Sequence, residues 1–204
     1  MYAGASVDKL KYEKELSAKG YKYICGVDEV GRGPLAGPVV CAAVVMPLDD
    51  VIEGVDDSKK VSPKKREVLS KEILKRAISY NICRIEADEI DRMNILEATK
   101  LCMKRAVEGL EIKPDFVLTD GNMTLDIDLP QQSIVKGDSL SYSIGAASIA
   151  AKVFRDNLMD EYDAVYPEYG FKKHKGYGTA LHIQAIKDNG LTPIHRRSFT
   201  KKWQ

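Results

Sequence analysis

The sequence holds only three histidines, His174, His182 and His195, and they form neither an HExxH pair nor any other paired ligand spacing. It also lacks a GxSxG elbow, a Walker loop and a GxGxxG fingerprint. Histidine-centred metal chemistry, serine hydrolysis and P-loop or dinucleotide binding therefore have no foothold. The four cysteines, Cys25, Cys41, Cys83 and Cys102, make no CxxC pair and each lies among apolar residues. That is the pattern of buried free thiols in a reducing compartment. The longest apolar stretch, Val39 to Pro47, is too short to span a bilayer, and the first twenty residues contain no apolar core of a secretory signal. These absences lead to the expectation of a cytoplasmic protein with no membrane association. No repeat, low-complexity tract or linker divides the 204 residues, so the chain reads as a single domain, 1–204.

An excess of one charge is missing too: 31 Lys and Arg face 30 Asp and Glu, for a net charge of +1. The balance is local rather than uniform. Eight basic residues against the single acid Asp188 occupy 171–204, so the segment from about 170 to 204 reads as a basic C-terminal extension. A second basic run extends from Lys59 to Arg76. Basic patches on a neutral protein suit a polyanionic partner that must also tolerate carboxylates; the run at 64–76 by itself is equally a solvated helix face.

Short apolar runs at Tyr23–Val27 and Pro38–Met46, bounded by Gly and Pro, predict an antiparallel strand pair. Ser62-Pro63 opens a helix running to about Ile78. Strand character returns at Tyr80–Ala87. Asn94 with Glu97 has the form of a capping box for a helix to about Leu110, with Leu96, Met103 and Leu110 as its buried stripe. Strands are predicted at Pro114–Thr119 and Gln132–Lys136, a long small-residue helix at Ser141–Tyr162, and a last helix at Ala180–Asn189 closed by Gly190. The order predicts an α/β domain on a mixed sheet flanked by helices.

Acids stand at the ends of these elements. Asp28 and Glu29 follow the first strand and precede Gly31-Arg32-Gly33; Asp120 ends another strand; Asp138 precedes the long helix. Hard divalent cations take carboxylate oxygens, and a two-cation phosphodiester site requires several of them brought together. Strand neighbours face opposite ways, so Asp28, which shares parity with Ile24 and Gly26, is the safer ligand, and Glu29 joins it only through a twist or bulge. Taken singly, each acid has a plainer role: Asp120-Gly121 is a turn signal and Asp138 an N-cap. Lys152 and Arg155 on the long helix are either phosphate contacts or ordinary surface charge. His182 is assigned a structural or surface role. Tyr177, among glycines inside the basic tail, is a residue type that stacks on a sugar or base.

Seven segments, in order, resemble the ribonuclease HII family. They are 28–40 (DEVGRGPLAGPVV), 57–62 (DSKKVS), 120–122 (DGN), 136–138 (KGD), 146–156 (AASIAAKVFRD), 174–179 (HKGYGT) and 193–199 (PIHRRSF). Val61, where the family usually has Leu, is a small departure. The resemblance implies an RNase H-like fold, a five-stranded mixed sheet flanked by helices with a helical C-terminal extension. It implies that Asp28, Glu29, Asp120 and Asp138 hold two divalent cations, Mg²⁺ or Mn²⁺. It further implies that Gly31, Arg32 and Gly33 read the 2′-hydroxyl through backbone groups, that Tyr177 packs on the ribonucleotide sugar, and that Lys59, Lys60, Lys175 and other tail basics bind the backbone.

The implied activity is hydrolysis of the RNA strand of RNA/DNA hybrids and of the bond 5′ to ribonucleotides in duplex DNA, by a monomer, leaving 3′-hydroxyl and 5′-phosphate ends. The rivals are a DNA-cutting nuclease of the same fold, a non-catalytic nucleic-acid-binding module, and a metal-independent ribonuclease using His174 and His195. The sibling ribonuclease HIII carries an extra N-terminal domain, for which the ~20 residues before the first strand leave no room.

Overall fold

The structure, a computed structural model, describes residues 8–203. Its sheet is formed by β1 (Ile24–Val30), β2 (Val39–Val45), β3 (Ser79–Ile85), β4 (Phe116–Asp120) and β5 (Gln131–Ile134), in the order β3-β2-β1-β4-β5. β2 runs antiparallel to β1 and β3, whereas β1, β4 and β5 are parallel. The predicted antiparallel pair is thus the centre of the five-stranded mixed sheet.

The alternation along β2 sorts the core into two layers. Val39, Cys41, Ala43 and Val45 pack with Cys25 and Val27 against α4 (Ile95–Glu108). Val40, Ala42 and Val44 turn to the other face, against α2 (Pro63–Arg76) and α6 (Tyr142–Val165). Both faces are covered, which is why β2 is apolar throughout. The small residues at 145–151 bring α6 hard against β1: a Cβ added at Gly26 would meet the Ser143 carbonyl carbon at 2.1 Å.

Two features depart from expectation. Leu96 is 42% exposed, and the buried stripe of α4 is Ala98, Cys102, Met103, Ala106 and Val107, with Leu110 buried just beyond the helix. By helical period Leu96 shares the face of Met103 and Val107; it is exposed because it sits in the first turn, at the end of the helix. Asn94 does cap the helix, accepting from the N–H groups of Leu96 and Glu97.

Helices α1 (Lys11–Ala18) and α3 (Ala87–Met93) are also present where no element was expected. α1 is half charged, with a mostly exposed surface, and is held through two buried residues, Glu13 and Leu16, the latter packed with Ile24, Phe116 and Ile144. Glu13 is fully buried, and its Oε1 accepts from the Ser141 hydroxyl (2.6 Å) and the Ser143 N–H (2.9 Å), capping α6 from a distance. After α6 come a 3₁₀ turn at Pro167–Tyr169, α5 having preceded it at Gly137–Leu140, then α7 (Phe171–His174), α8 (Ala180–Asn189) and α9 (Arg197–Thr200). These short helices pack on the end of α6 through Leu35, Met159, Tyr169, Phe171 and Ile186.

Candidate active site

The site forms where β1 outruns β4. The parallel ladder between them ends at Val27 and Thr119, while β1 continues to Val30. Asp28 lies on the α6 face with Gly26, buried to 5% exposure. Asp120, the last residue of β4, shares that face with Phe116 and Leu118. Glu29 has the opposite parity, yet one carboxylate oxygen from each of Asp28, Glu29 and Asp120 lies within 4.8 Å of the others. With no ladder partner beside it on the β4 side, the longer Glu29 side chain reaches round the strand end. The objection from strand alternation is therefore answered by unequal strand lengths rather than by a bulge.

Asp138 lines the same cleft from the first turn of α5, and its N–H donates to Asp120 Oδ1 at 3.3 Å. It is not an N-cap, a position taken by Lys136 at φ 60°. It also stands outside the tight group of three acids.

These carboxylates repel one another in a partly dry site. Burial first, then the charges of Glu29 and Asp120, push the Asp28 carboxyl well above the usual range, the Ser148 hydroxyl opposing them. Burial also raises Glu29; the Arg32 guanidinium, 3.6 Å from Oε1, pulls the other way, and Asp120 adds to the rise. Asp138 is raised by burial and by Asp120 and Asp57, with Lys59 opposing. Glu29 Oε2 is buried without a hydrogen-bond partner. A buried acceptor without a donor is costly in water-free surroundings. Oxygen donors from three elements, under-neutralised and with one oxygen unpartnered, fit a hard divalent cation.

The remaining walls come from loops. Gly31, Arg32, Gly33, Lys59 and Tyr177 line the cleft, and Tyr177 is 42% exposed. Ser58, Ser148 and Lys152 line it as well. The Ser148 hydroxyl donates to Ser58 at 3.1 Å, tying α6 to the 57–60 loop. Ser148 gave no sequence signal of its own, because in a run of small residues it reads as close packing. Lys60 lies nearby, bonded to Ser139 Oγ at 2.7 Å.

Lys175 is placed differently from its expected role. Its ammonium is engaged by the Asp160 carboxylate and the Asp156 carbonyl, and it does not line the cleft. Arg155 is fully buried and donates to backbone carbonyls, so it is neither a phosphate contact nor surface charge. Burial pulls its guanidinium down to about 10 and that of Arg196 down to about 9, which leaves both charged at neutral pH.

The histidines cluster elsewhere. His182 Nε2 and His195 Nε2 are 3.0 Å apart, and His174 stacks on His182 with ring centroids 4.6 Å apart. Burial lowers His182 and His195 to about 4, and no histidine lines the cleft. A histidine-based cleavage centre thus has no geometry to support it.

The family model for ribonuclease HII matches residues 25–202. A ribonuclease HII from Caldicellulosiruptor saccharolyticus is 51% identical over 201 residues, covering 98% of each chain. One from Clostridioides difficile is 55% identical over 190 residues, 93% of this chain and 74% of that protein. Among solved structures, ribonuclease H2 from Pyrococcus horikoshii superposes with a TM-score of 0.75 at 28% identity, covering 89% of this chain and 96% of the other. The matched region takes in the strand-end carboxylates, the glycine–arginine–glycine loop and the C-terminal helices. The chain belongs to the ribonuclease HII family of metal-dependent endoribonucleases.

Proposed function

We propose that this protein hydrolyses the RNA strand of RNA/DNA hybrids, and the phosphodiester on the 5′ side of ribonucleotides embedded in duplex DNA, leaving 3′-hydroxyl and 5′-phosphate ends. The observation that carries this reading is the meeting of Asp28, Glu29 and Asp120 oxygens within 4.8 Å, in a cleft also lined by Gly31, Arg32, Gly33 and Tyr177. Carboxylates alone would repel a nucleic acid. Beside a basic, aromatic wall they make sense as ligands. Asp28, Glu29, Asp120 and Asp138 would hold two divalent cations, Mg²⁺ or Mn²⁺, both of which suit oxygen donors. When bound, such cations supply an acidified water near neutral pH and positive charge for the departing 3′ oxygen.

The chain's own residues do the rest. The strand ends fix the carboxylates, so little reorganisation is needed on binding. Lys59, lining the cleft, offers charge to phosphate oxygens and Lys60 extends that surface, while Lys152, paired with Asp156 at 2.7 Å, forms part of the cleft wall. The backbone of residues 31–33 contacts the 2′-hydroxyl, which tells RNA from DNA, and Tyr177 packs on the same sugar. Lys175, engaged with Asp160, acts by holding the segment that presents Tyr177. The protein works as a cytoplasmic monomer, one catalytic domain over 1–204 with 170–204 as its helical extension. No helix among the described residues is long and apolar enough to cross a membrane.

The deciding experiment is cleavage of a duplex containing one ribonucleotide, with and without chelator, mapping position and end groups. A cut on the 5′ side, abolished by chelator, with 3′-hydroxyl and 5′-phosphate ends, is expected. Chelator-resistant cleavage or a 2′,3′-cyclic phosphate end would overturn the proposal.

A further inference from the structure

Two fully buried arginines lie beneath the 31–38 loop, and neither forms an ion pair within 4.0 Å among the described residues. Arg196, from the C-terminal segment, donates through Nη2 to Gly31 O (2.5 Å) and Gly37 O (2.9 Å), through Nη1 to Arg32 O (2.9 Å), and through Nε to Gly37 O (3.0 Å). Arg155, from α6, donates to Pro38 O (3.0 Å), Ala36 O (3.1 Å) and Lys175 O (2.9 Å). Removing two guanidiniums from water without a carboxylate is costly, and only a full set of carbonyl acceptors offsets it. Such an arrangement persists where a particular backbone orientation is required.

We infer that Arg155 and Arg196 are positioning residues for ribonucleotide recognition: Arg196, by holding the Gly31 and Arg32 carbonyls inward, turns the following N–H groups toward the substrate, and Arg155 fixes the far side of the loop against the Tyr177 segment. The inference rests on the proposed reading of residues 31–33 as the substrate-contacting loop. A trans peptide is planar, with C=O and N–H pointing opposite ways. With the carbonyls of Gly31 and Arg32 drawn down onto Arg196, the N–H groups of Arg32 and Gly33 point away from it, on the side of the cleft.

The two glycines then have different reasons to be glycine. Gly31 has φ +92°, and an added Cβ would lie 2.3 Å from Arg155 Nε; the constraint comes from the guanidinium beneath. A Cβ at Gly33 would find nothing nearer than the Tyr177 ring at 3.7 Å, so its constraint lies on the open side. Arg155 also bonds Lys175 O, two residues before Tyr177, and Leu35 N donates to Gly176 O at 2.8 Å. One buried guanidinium therefore sets the loop and the tyrosine segment against each other.

The test measures affinity without metal, in chelator, for an all-DNA duplex and for the same duplex with one ribonucleotide. Wild type, R196K and R155K are compared, with circular dichroism melting as a check on folding. Lysine keeps the charge but cannot reach several carbonyls in a fixed plane. Wild type is expected to favour the ribonucleotide duplex. In folded R196K that preference falls by up to about tenfold, the upper end of what one neutral hydrogen bond to the 2′-hydroxyl contributes, while affinity for all-DNA duplex is unchanged. R155K behaves likewise.

A general loosening would weaken both duplexes equally, and that result overturns the inference, as does a folded R196K with the wild-type ratio. A wild-type ratio near one removes the reading of the loop, and the inference with it. In wild type the guanidinium protons of both arginines are expected as sharp, slowly exchanging NMR signals; rapid exchange would overturn the clamp even if neither variant folds.

Discussion

The Glu29 N–H donates to Asp28 Oδ1 at 2.7 Å, a bond between strand neighbours that leans the Asp28 carboxylate along β1 toward its open C-terminal end. That lean, with the reach of Glu29 past the end of the β4 ladder, brings two residues of opposite parity to one centre. Both are buried or nearly so, and burial raises both carboxyls above their ordinary values, with Arg32 opposing the rise at Glu29.

Asp28→Asn or Asp120→Asn should lower cleavage by more than about a hundredfold at saturating metal, since even outer-shell partners of metal ligands contribute 10–100-fold. Circular dichroism should show both variants folded. Retention of more than about a tenth of wild-type rate would contradict their assignment as ligands, because loss of an outer-shell partner alone costs at least that much.

The raised pKa of Asp28 gives the metal-free protein a definite pH signature. The folded state holds its proton above the pH at which the unfolded chain, near 3.8, releases it. Between those values the native state binds more protons, so this group's contribution to stability falls as pH rises and then stays low. Asp28→Asn removes the penalty. The metal-free variant should melt a few degrees above wild type at neutral pH, the size expected of ~1 kcal/mol in a domain of this length. The gap should close as pH approaches 4, and identical melting at every pH would remove the strain argument. Comparing the two proteins cancels the acid sensitivity of His182 and His195, which both retain.

Gly31→Ala and Gly33→Ala should separate. Gly31 has positive φ and no room, so alanine there should cost about 1–3 kcal/mol of stability, as strained backbone positions do. Gly33→Ala should melt close to wild type, yet cleave a single-ribonucleotide duplex more slowly. Thermal melts beside steady-state rates check both, and equal stability losses would refute the contrast.

Tyr177→Ala should reduce cutting at a single ribonucleotide more than it reduces duplex binding, by about tenfold if stacking contributes the 1–3 kcal/mol typical of an aromatic on a nucleotide. Parallel losses in cleavage and gel-shift assays would make Tyr177 a packing residue.

Glu13→Ala should destabilise the protein by about 1–3 kcal/mol, because the Ser141 hydroxyl and the Ser143 N–H lose their buried acceptor. Urea unfolding measures it; a change below about 0.5 kcal/mol, ordinary for surface substitutions, would mean α1 is not held through this residue.

What could be read from local pattern was read correctly where the physics is local. Short apolar runs bounded by Gly and Pro marked the strands, Asn94 and Gly190 marked helix ends, and parity put Asp28 on the face of Gly26. α1 escaped because a buried glutamate and a single buried leucine, rather than a full apolar stripe, hold it. Leu96 was misplaced because its period is that of the buried stripe, and only the fold shows that the first turn of α4 is left exposed. Arg155 was read as a phosphate contact or surface charge and Arg196 as part of the basic tail that binds nucleic acid, since nothing in a basic sequence tells a solvated arginine from one bonded to distant carbonyls.

The order of residues alone thus determined which segments become strands and helices, and that acids stand at their ends, because backbone preference and burial period act over a few neighbours. Only the tertiary structure decided that β1 outlasts β4, that Glu29 therefore meets Asp28 and Asp120, and that residues 155 and 196 grip a loop more than a hundred positions away. Those outcomes depend on relative strand lengths and on carbonyls brought close by the fold, and neither quantity is carried by any short stretch of chain.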